Sequence, residues 1–433
     1  MIGRLRQLPE RVLFRPGFSL LLFGALSLLF NWLWTGSGLF LGGGLGLSIW
    51  LVSLMATVVA AMALIRRRLE LAALLVLVVA TIVVPTVALI VLRWKTGAPI
   101  LMHDGAYQTE EAIKLLLAGH DPYGFDYTMT SMRLWHWYVS VPIHPSLYHF
   151  LYAPLAFLLP LPAYVVAYWL GLPFDVRLMD LAVEAVAAVA ILQLAWRWEW
   201  KYVLLSALFL DPFFYLAQGR NDIWFLTPIV LGVLAWQRNR LALAALAFGT
   251  ALALKPFAIF FLPLLALLLY RRSRSERWSP ARLISTLALF TLPAVLSIGP
   301  FFLWNPGAYW TDTVAFVTGT DARRFPIQGY GLSAILLLLK IIPNANAYFP
   351  FGILQLGTVL PAFVLAVVRL WRTPTLAGAL RWGTLLLTVF LFFSRFVNDN
   401  YIAAVLFLAV LAGTTRRGAI TQPQHFEASS IAA

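Results

Sequence analysis

Long apolar runs separated by short polar connectors set the rhythm of this chain. Runs at 17–35, 39–65 and 70–92 come first, and later ones fall at 202–218, 222–236, 241–254, 256–270, 282–303, 348–370, 379–396 and 401–414. A helix needs roughly 17–25 apolar residues to cross about 30 Å of hydrocarbon, and most of these runs approach or meet that length. Two regions depart from the pattern. Between Pro145 and Trp196, Pro154, Pro160, Pro162 and Pro173 break or kink any helix. One span plus a re-entrant piece, or three spans, would both fit there. The run from Gly331 to Ile342 is short for a crossing and predicts a helix lying in or dipping into the outer interface.

The pattern therefore predicts an all-α polytopic membrane protein of about 12 transmembrane helices, in a range of roughly 11–14, with surface helices on the outer face. Residues 1–417 form one integral membrane domain, with outer loops at 95–144 and 304–330, followed by a polar, disordered tail over 418–433. The first run lacks a small-residue cleavage site and reads as a retained anchor. Composition agrees: 61% of residues are hydrophobic, 12% are charged, and mean hydropathy is +0.83. A soluble chain this apolar would expose aggregation-prone patches.

A net charge of +14 raises the question of nucleic acid, and the positions of the charges answer it. Arg4, Arg6, Arg11 and Arg15 precede the first run, and Arg66, Arg67 and Arg68 follow the second. Arg238 and Arg240, Arg271, Arg272, Arg274, Arg277 and Arg282, then Arg369, Arg372 and Arg381 sit in connectors, and Arg416 and Arg417 follow the last run. This is the positive-inside pattern of a multi-pass protein in the cell membrane with both termini cytoplasmic. It leaves no need for a nucleic-acid partner. With no cysteine in the chain, disulfides, thiolate metal sites and cysteine nucleophiles are excluded.

The outer loop carries the candidate chemistry. From Asp104 to Ala118, Ala112, Ile113, Leu116 and Leu117 fall on one helical face and Tyr107, Gln108, Glu110, Glu111 and Lys114 on the other. That predicts a helix resting on the membrane surface, with Glu110 and Glu111 on a solvated side. Asp104 begins this helix. It is either its N-cap or a general base at the water–lipid boundary, able to deprotonate a hydroxyl. Asp121, before Pro122, suits a turn. Asp180 and Glu184, with Arg177 one turn before, suggest a structural ion cluster, with a proton pathway as the rival. His103, His120, His144 and His149 lack the spacing of a defined metal site, so none is predicted. Trp135, His136, Trp137 and Tyr138 suit either sugar stacking or an interfacial aromatic belt.

Asp104-x-x-Tyr107, the helix, Gly119-x-Asp121-Pro122-Tyr123 and then Tyr152-x-Pro154-Leu155 together resemble the GT-C class of membrane glycosyltransferases. The order looks most like the family 87 polyprenyl-phosphate-mannose mannosyltransferases. Gln218-Gly219-Arg220-Asn221, the run from Gly249 to Leu254-Lys255-Pro256, and Arg271-Arg272 are also similar, so the resemblance covers roughly residues 95–410. Two extra spans before Asp104 depart from the family pattern, and being even in number they preserve sidedness. The resemblance implies an inverting transfer of mannose, or of another hexose or pentose, from a polyprenyl-phosphate donor to a glycan or lipid acceptor on the outer face. It also implies Asp104 as the base, with no cofactor.

Lys255, Arg395, Arg323 and Arg324 are the candidates to meet the donor phosphate. The rival readings are snorkelling for Lys255, a solvated loop for Arg323 and Arg324, and a salt bridge to Asp399 for Arg395. His103, Tyr107, Tyr123, Gln218, Asn221 and Asp222 are candidates to bind sugar or acceptor. The alternative function is a lipid-linked glycan flippase or another secondary transporter. Where Asp104, Lys255 and Arg395 converge separates the two: one outward-facing cavity continuous with lipid favours the transferase, and a passage reaching both faces favours transport.

Overall fold

A computed structural model of the chain describes residues 20–22, 24–26, 28–29, 43–66, 69–97, 102–135, 145–194, 198–210 and 215–415. Most of the first predicted run, the basic residues at 4–15, 67–68 and 416–417, the aromatic residues 136–138, His144 and the tail lie outside these.

The described chain is helical, with one parallel pair of two-residue strands, β1 (Gln328–Gly329) and β2 (Phe396–Val397). The principal helices are α1 (Gly43–Ile65), α2 (Glu70–Thr96), α3 (Asp104–Leu117), α4 (Leu155–Trp169, bent at Pro160) and α5 (Arg177–Leu194). After them come α6 (Trp198–Leu208), α7 (Asp222–Gln237), α8 (Leu241–Leu254), α9 (Leu262–Ser275) and α10 (Pro280–Trp304). Last come α11 (Phe351–Arg372), α12 (Leu376–Phe392) and α13 (Asp399–Thr414). Of these, α2, α10 and α11 are long and apolar enough to cross a membrane, and several shorter helices are similarly apolar.

The two irregular regions now have shapes. The described residues 145–194 contribute a 3₁₀ turn, Pro145–Tyr148, and then α4 and α5, separated at Pro173. The Gly331–Ile342 run forms a helix of seven residues, Leu332–Leu338. The apolar run at 256–270 splits into a 3₁₀ turn, Pro256–Phe260, and α9.

Proline and glycine explain the finer geometry. Pro85 can neither donate to the carbonyl four residues back nor avoid clashing with it. Helix α2 accommodates this with a π turn over Val79–Val83 just before the proline. The hydroxyls of Thr81 and Thr86 donate to the Leu77 and Ile82 carbonyls, each at 2.7 Å. The core is built on α7, whose sequence is apolar all round and whose residues are almost all buried. It packs against α5 on one side and α8 on another, and α8 in turn packs on α10. Gly249 makes the last contact possible. A Cβ there would lie 2.6 Å from the Leu289 and Phe290 carbonyl oxygens of α10, so only hydrogen lets the backbones meet.

The helix at Asp104 departs from expectation. Tyr107, Gln108, Glu110 and Glu111 are buried, as are Ala112 and Ile113. Thus α3 is embedded in protein, and its polar face points inward instead of into solvent. The cause is a set of partners distant in sequence. Arg93 at the end of α2 grips Glu110 through two bonds, 2.6 and 3.1 Å, and Asp175 through a third at 2.8 Å. Arg177 holds the same Asp175 at 2.7 and 2.8 Å, and its other nitrogen donates to the Ala217 carbonyl. Two cations and two anions cancel, and their hydrogen bonds offset the desolvation that isolated charges would suffer. Glu111 meets Lys114 at 2.6 Å and receives the Ser131 hydroxyl at 3.1 Å. The solvated reading of Glu110 and Glu111 is therefore corrected.

Arg177, Asp180 and Glu184 are all buried; Arg177 also pairs with Asp175, and Asp180 sits beside Trp224 within reach of the Arg177 charge.

Candidate functional site

A cavity of about 390 Å³ lies where α3, α7, α8, α12 and α13 approach one another. Asp104, Lys255 and Arg395, far apart in sequence, all line it, together with His103 and Asn221. One part of the wall is polar, with Arg220, Asn398 and Asn400. Another is apolar, with Phe257, Ile259, Phe260, Phe351 and Phe390.

The polar part is built from helix ends. Asp104, Asp222 and Asp399 are the first residues of α3, α7 and α13, where a carboxylate favourably meets the positive end of the helix dipole. The cavity wall includes residues at all three of these N-termini, Gly105, Asn221 and Asn400 among them, with the Gly105 and Asn400 N–H groups donating to the Asp104 and Asp399 carboxylates. Lys255 comes from the opposite kind of end. It caps α8 in an extended conformation, before Pro256 stops the helix from continuing.

Asp104 is one quarter exposed and held from two sides. Its Oδ1 accepts the Gly105 N–H at 2.8 Å and lies 2.8 Å from His103 Nδ1. Gly105 N is 3.1 Å from that same Nδ1 and nearer to the carboxylate, which fits an imidazole whose Nδ1 proton points at Asp104. The residue at the N-cap position is His103, so Asp104 caps only through its neighbour's amide while its carboxylate borders the cavity. Gly105 is required by what lies across from it. A Cβ there would fall 1.8 Å from the Tyr152 hydroxyl, so the glycine admits that phenol to the helix start. Burial, and then the neighbouring Asp104 charge, hold the Tyr152 hydroxyl well above its ordinary pKa, so it stays protonated.

Lys255 is paired with Asp222 through a short contact, and the other Asp222 oxygen receives the Asn400 amide. Its ammonium lies 4.9 Å from the Tyr401 ring centre, 5.4 Å from Phe257 and 5.5 Å from Phe225. Three π-faces and one carboxylate thus fix a cation at the seam between polar and apolar wall. Arg220 stands beside this pair. It donates to Asp399 at 2.6 Å, to Asn400 at 3.1 Å and to Gln218 at 3.1 Å.

Among the sequence candidates, His103, Asp104, Asn221, Lys255 and Arg395 border the cavity. Asp222 and Gln218 stand one layer behind, holding Lys255, Arg220 and, through the Gln218 carbonyl, the His103 amide at 2.6 Å. The others lie elsewhere. Tyr107 bonds Ser131 at 2.6 Å, and the Tyr123 hydroxyl donates to the Tyr152 carbonyl at 2.7 Å, so both brace the loop and do not line the cavity. Arg323 is exposed and stacks over Tyr148 at 3.9 Å, and neither it nor Arg324 lines the cavity. Asp121 makes the expected turn, accepting the Tyr123 N–H at 3.0 Å.

Arg395 lines the cavity, but it does not pair with Asp399. Asp399 pairs with Arg220, so Arg395 has no salt bridge there. Its guanidinium donates instead to three carbonyls, those of Phe325, Ala345 (3.2 Å) and Ala347 (2.9 Å). Burial, with Arg324 nearby, pulls its pKa down to about 10, which leaves it charged at neutral pH. Each of its three nitrogens donates to a carbonyl, and Arg220 is engaged as well, with Asp399, Asn400 and Gln218. Sequence reasoning missed Arg220, Tyr152, Asn398, Asn400 and Tyr401. The only signal was that each sat inside a stretch already singled out for its neighbours.

No family model matches the chain, and neither does any curated protein.

Proposed function

We propose that this is a multi-pass cell-membrane enzyme that transfers a sugar from a polyprenyl-phosphate donor to a glycan or lipid hydroxyl on the outer face. The observation that carries the reading is the meeting of Asp104 and Lys255 on one cavity with a polar and an apolar wall. Polar wall suits sugar and phosphate; apolar wall suits the isoprenoid chain beside them. The resemblance of the loop motifs to the GT-C class points the same way.

In this reaction Asp104 takes the proton of the acceptor hydroxyl as its oxygen attacks the anomeric carbon. The bond from that carbon to the phosphate oxygen breaks on the far side, which inverts the centre, and the electron pair leaves with the phosphate. Lys255 and Arg220 offset the charge that develops there. His103 orients the Asp104 carboxylate through the 2.8 Å contact. The chain crosses the membrane about twelve times, with α4 as the re-entrant piece and α5 as the span of the proline-rich region, and both termini are cytoplasmic. Mannose is the first sugar to try as donor, with arabinose and glucose on the same carrier beside it.

Transfer measured with purified protein, a panel of polyprenyl-phosphate sugars and membrane extract as acceptor tests the reading. Lys255→Met should lower kcat more than it raises KM for the donor, because the charge it offsets develops in the transition state. Movement of labelled lipid across reconstituted vesicles, with no turnover of any donor, would replace the enzyme by a flippase.

A further inference from the structure

Between β1 and α11 the chain makes a compact excursion that the chemistry above does not use. The helix Leu332–Leu338 ends in a turn whose Lys340 adopts a left-handed conformation (φ 56°). The chain then doubles back, with the Ile327 N–H donating to the Ala345 carbonyl at 2.7 Å. Ile327, Ile342 and Phe351 form a small hydrophobic cluster of their own, separate from the main core, with Leu336, Leu337, Ala347 and Phe349 packed on it.

Much of the outside of this excursion is apolar as well, beside the exposed Lys340, Asn344 and Asn346. Leu338 is 81% exposed, and Ile335, Leu339, Ile341, Tyr330 and Tyr348 are also exposed. A contiguous greasy apex of this kind is costly in water. It runs directly into α11, whose Ile353, Leu356 and Leu360 are exposed in the same way along a helix long and apolar enough to cross a membrane. A single exposed Lys340 stands at the turn, where a long side chain can lift its charge to the headgroups while its stem lies among acyl chains.

The base of the excursion is fastened at one point. Arg395, just after α12, binds the carbonyls of Phe325, Ala345 and Ala347, reaching both strands of the neck. Beside it β1 pairs with β2, and the Tyr330 N–H donates to the Val397 carbonyl at 2.9 Å. Gln328 in the neck and Phe351 at its end both line the cavity.

We infer that residues 330–348 form a strap whose apolar apex inserts into the acyl region of the outer leaflet, and that Arg395 staples it to the rim of the cavity. Arg395 is thus a positioning residue for the strap. The strap rests on the membrane placement proposed above and not on the transfer chemistry.

The absence of cysteine makes a direct test available. Leu338→Cys and, separately, Leu360→Cys are labelled with an environment-sensitive fluorophore in the full chain and reconstituted into phosphatidylcholine vesicles. Quenching by lipids brominated on the acyl chains is compared with quenching by aqueous iodide. The probe at 360 should be quenched by brominated chains, and failure there would overturn the membrane placement itself. The probe at 338 should be quenched severalfold more by brominated chains than by iodide. The reverse ranking at 338, with 360 quenched by lipid, would overturn the insertion alone. Arg395→Met should shift the 338 probe toward iodide while leaving 360 unchanged, and Arg395→Lys should do so less. An unchanged 338 probe in Arg395→Met would overturn the staple.

Discussion

At the scale of single residues, the site rests on contacts too close for a conservative change to go unnoticed. Gly105→Ala should destabilise the protein by about 1–3 kcal/mol, because the new methyl group would overlap the Tyr152 hydroxyl. Removing that hydroxyl with Tyr152→Phe should recover part of the loss, and thermal unfolding of the two single variants and the double would measure the coupling. Additive losses would mean that the two residues do not meet. The sequence made Asp104 and Lys255 conspicuous because each is a charge next to an apolar run, and such charges need a reason. It could not say what Arg395 holds, since its partners are backbone carbonyls of residues 325, 345 and 347, which carry no side-chain signature. Arg220 was hidden for the opposite reason. It sits within a motif read for its Gln and Asn, and only folding brings Asp399 to it.

At the scale of elements, α3 is where amphipathic pattern and structure part. Periodicity correctly divides its residues into two faces, yet it cannot tell water from a buried ion network as the environment of the polar one. That depends on Arg93, Asp175 and Arg177 arriving from α2 and the start of α5. Burial pushes the Asp175 carboxyl up, but hydrogen bonds and charge from Arg177 and Arg93 outweigh it and leave the group below the usual carboxylate range. A group depressed in the folded state contributes stability above its unfolded value and loses it as pH falls through the folded one. The contribution of Asp175 should therefore be intact at neutral pH and disappear only below about pH 4. Glu110 behaves oppositely, because its burial raises its pKa despite Arg93. Its net contribution is favourable below its unfolded value and is lost as pH rises past it. At pH 7, Asp175→Asn should then cost about 3–5 kcal/mol, and Glu110→Gln distinctly less. Denaturation of the two variants in detergent across pH 3–7 checks this, and equal costs at pH 7 would contradict it.

At the scale of the whole molecule, most described helices fall within the apolar runs, although the 202–218 run ends its helix at Leu208, and prolines shape the joints. Pro85 does not end α2 but shifts it into a π turn, and Pro256 separates Lys255 from α9 so that the ammonium can enter the cavity wall. Such outcomes depend on neighbouring helices that re-satisfy the freed backbone groups, which no local pattern encodes. On the proposed topology, reporter fusions at either terminus should both read as cytoplasmic. A periplasmic or extracellular reading at one terminus would require an odd number of crossings. The most direct measurement remains sugar transfer by the parent protein and by Asp104→Asn, with polyprenyl-phosphate sugars as donors and a chelator present. Turnover by the parent, with a loss of roughly 10²–10⁴-fold in a variant that keeps the parent's thermal stability, is the predicted result. Equal turnover by a folded Asp104→Asn variant would contradict the assignment of the base, and no turnover by the parent with any donor would contradict the enzyme.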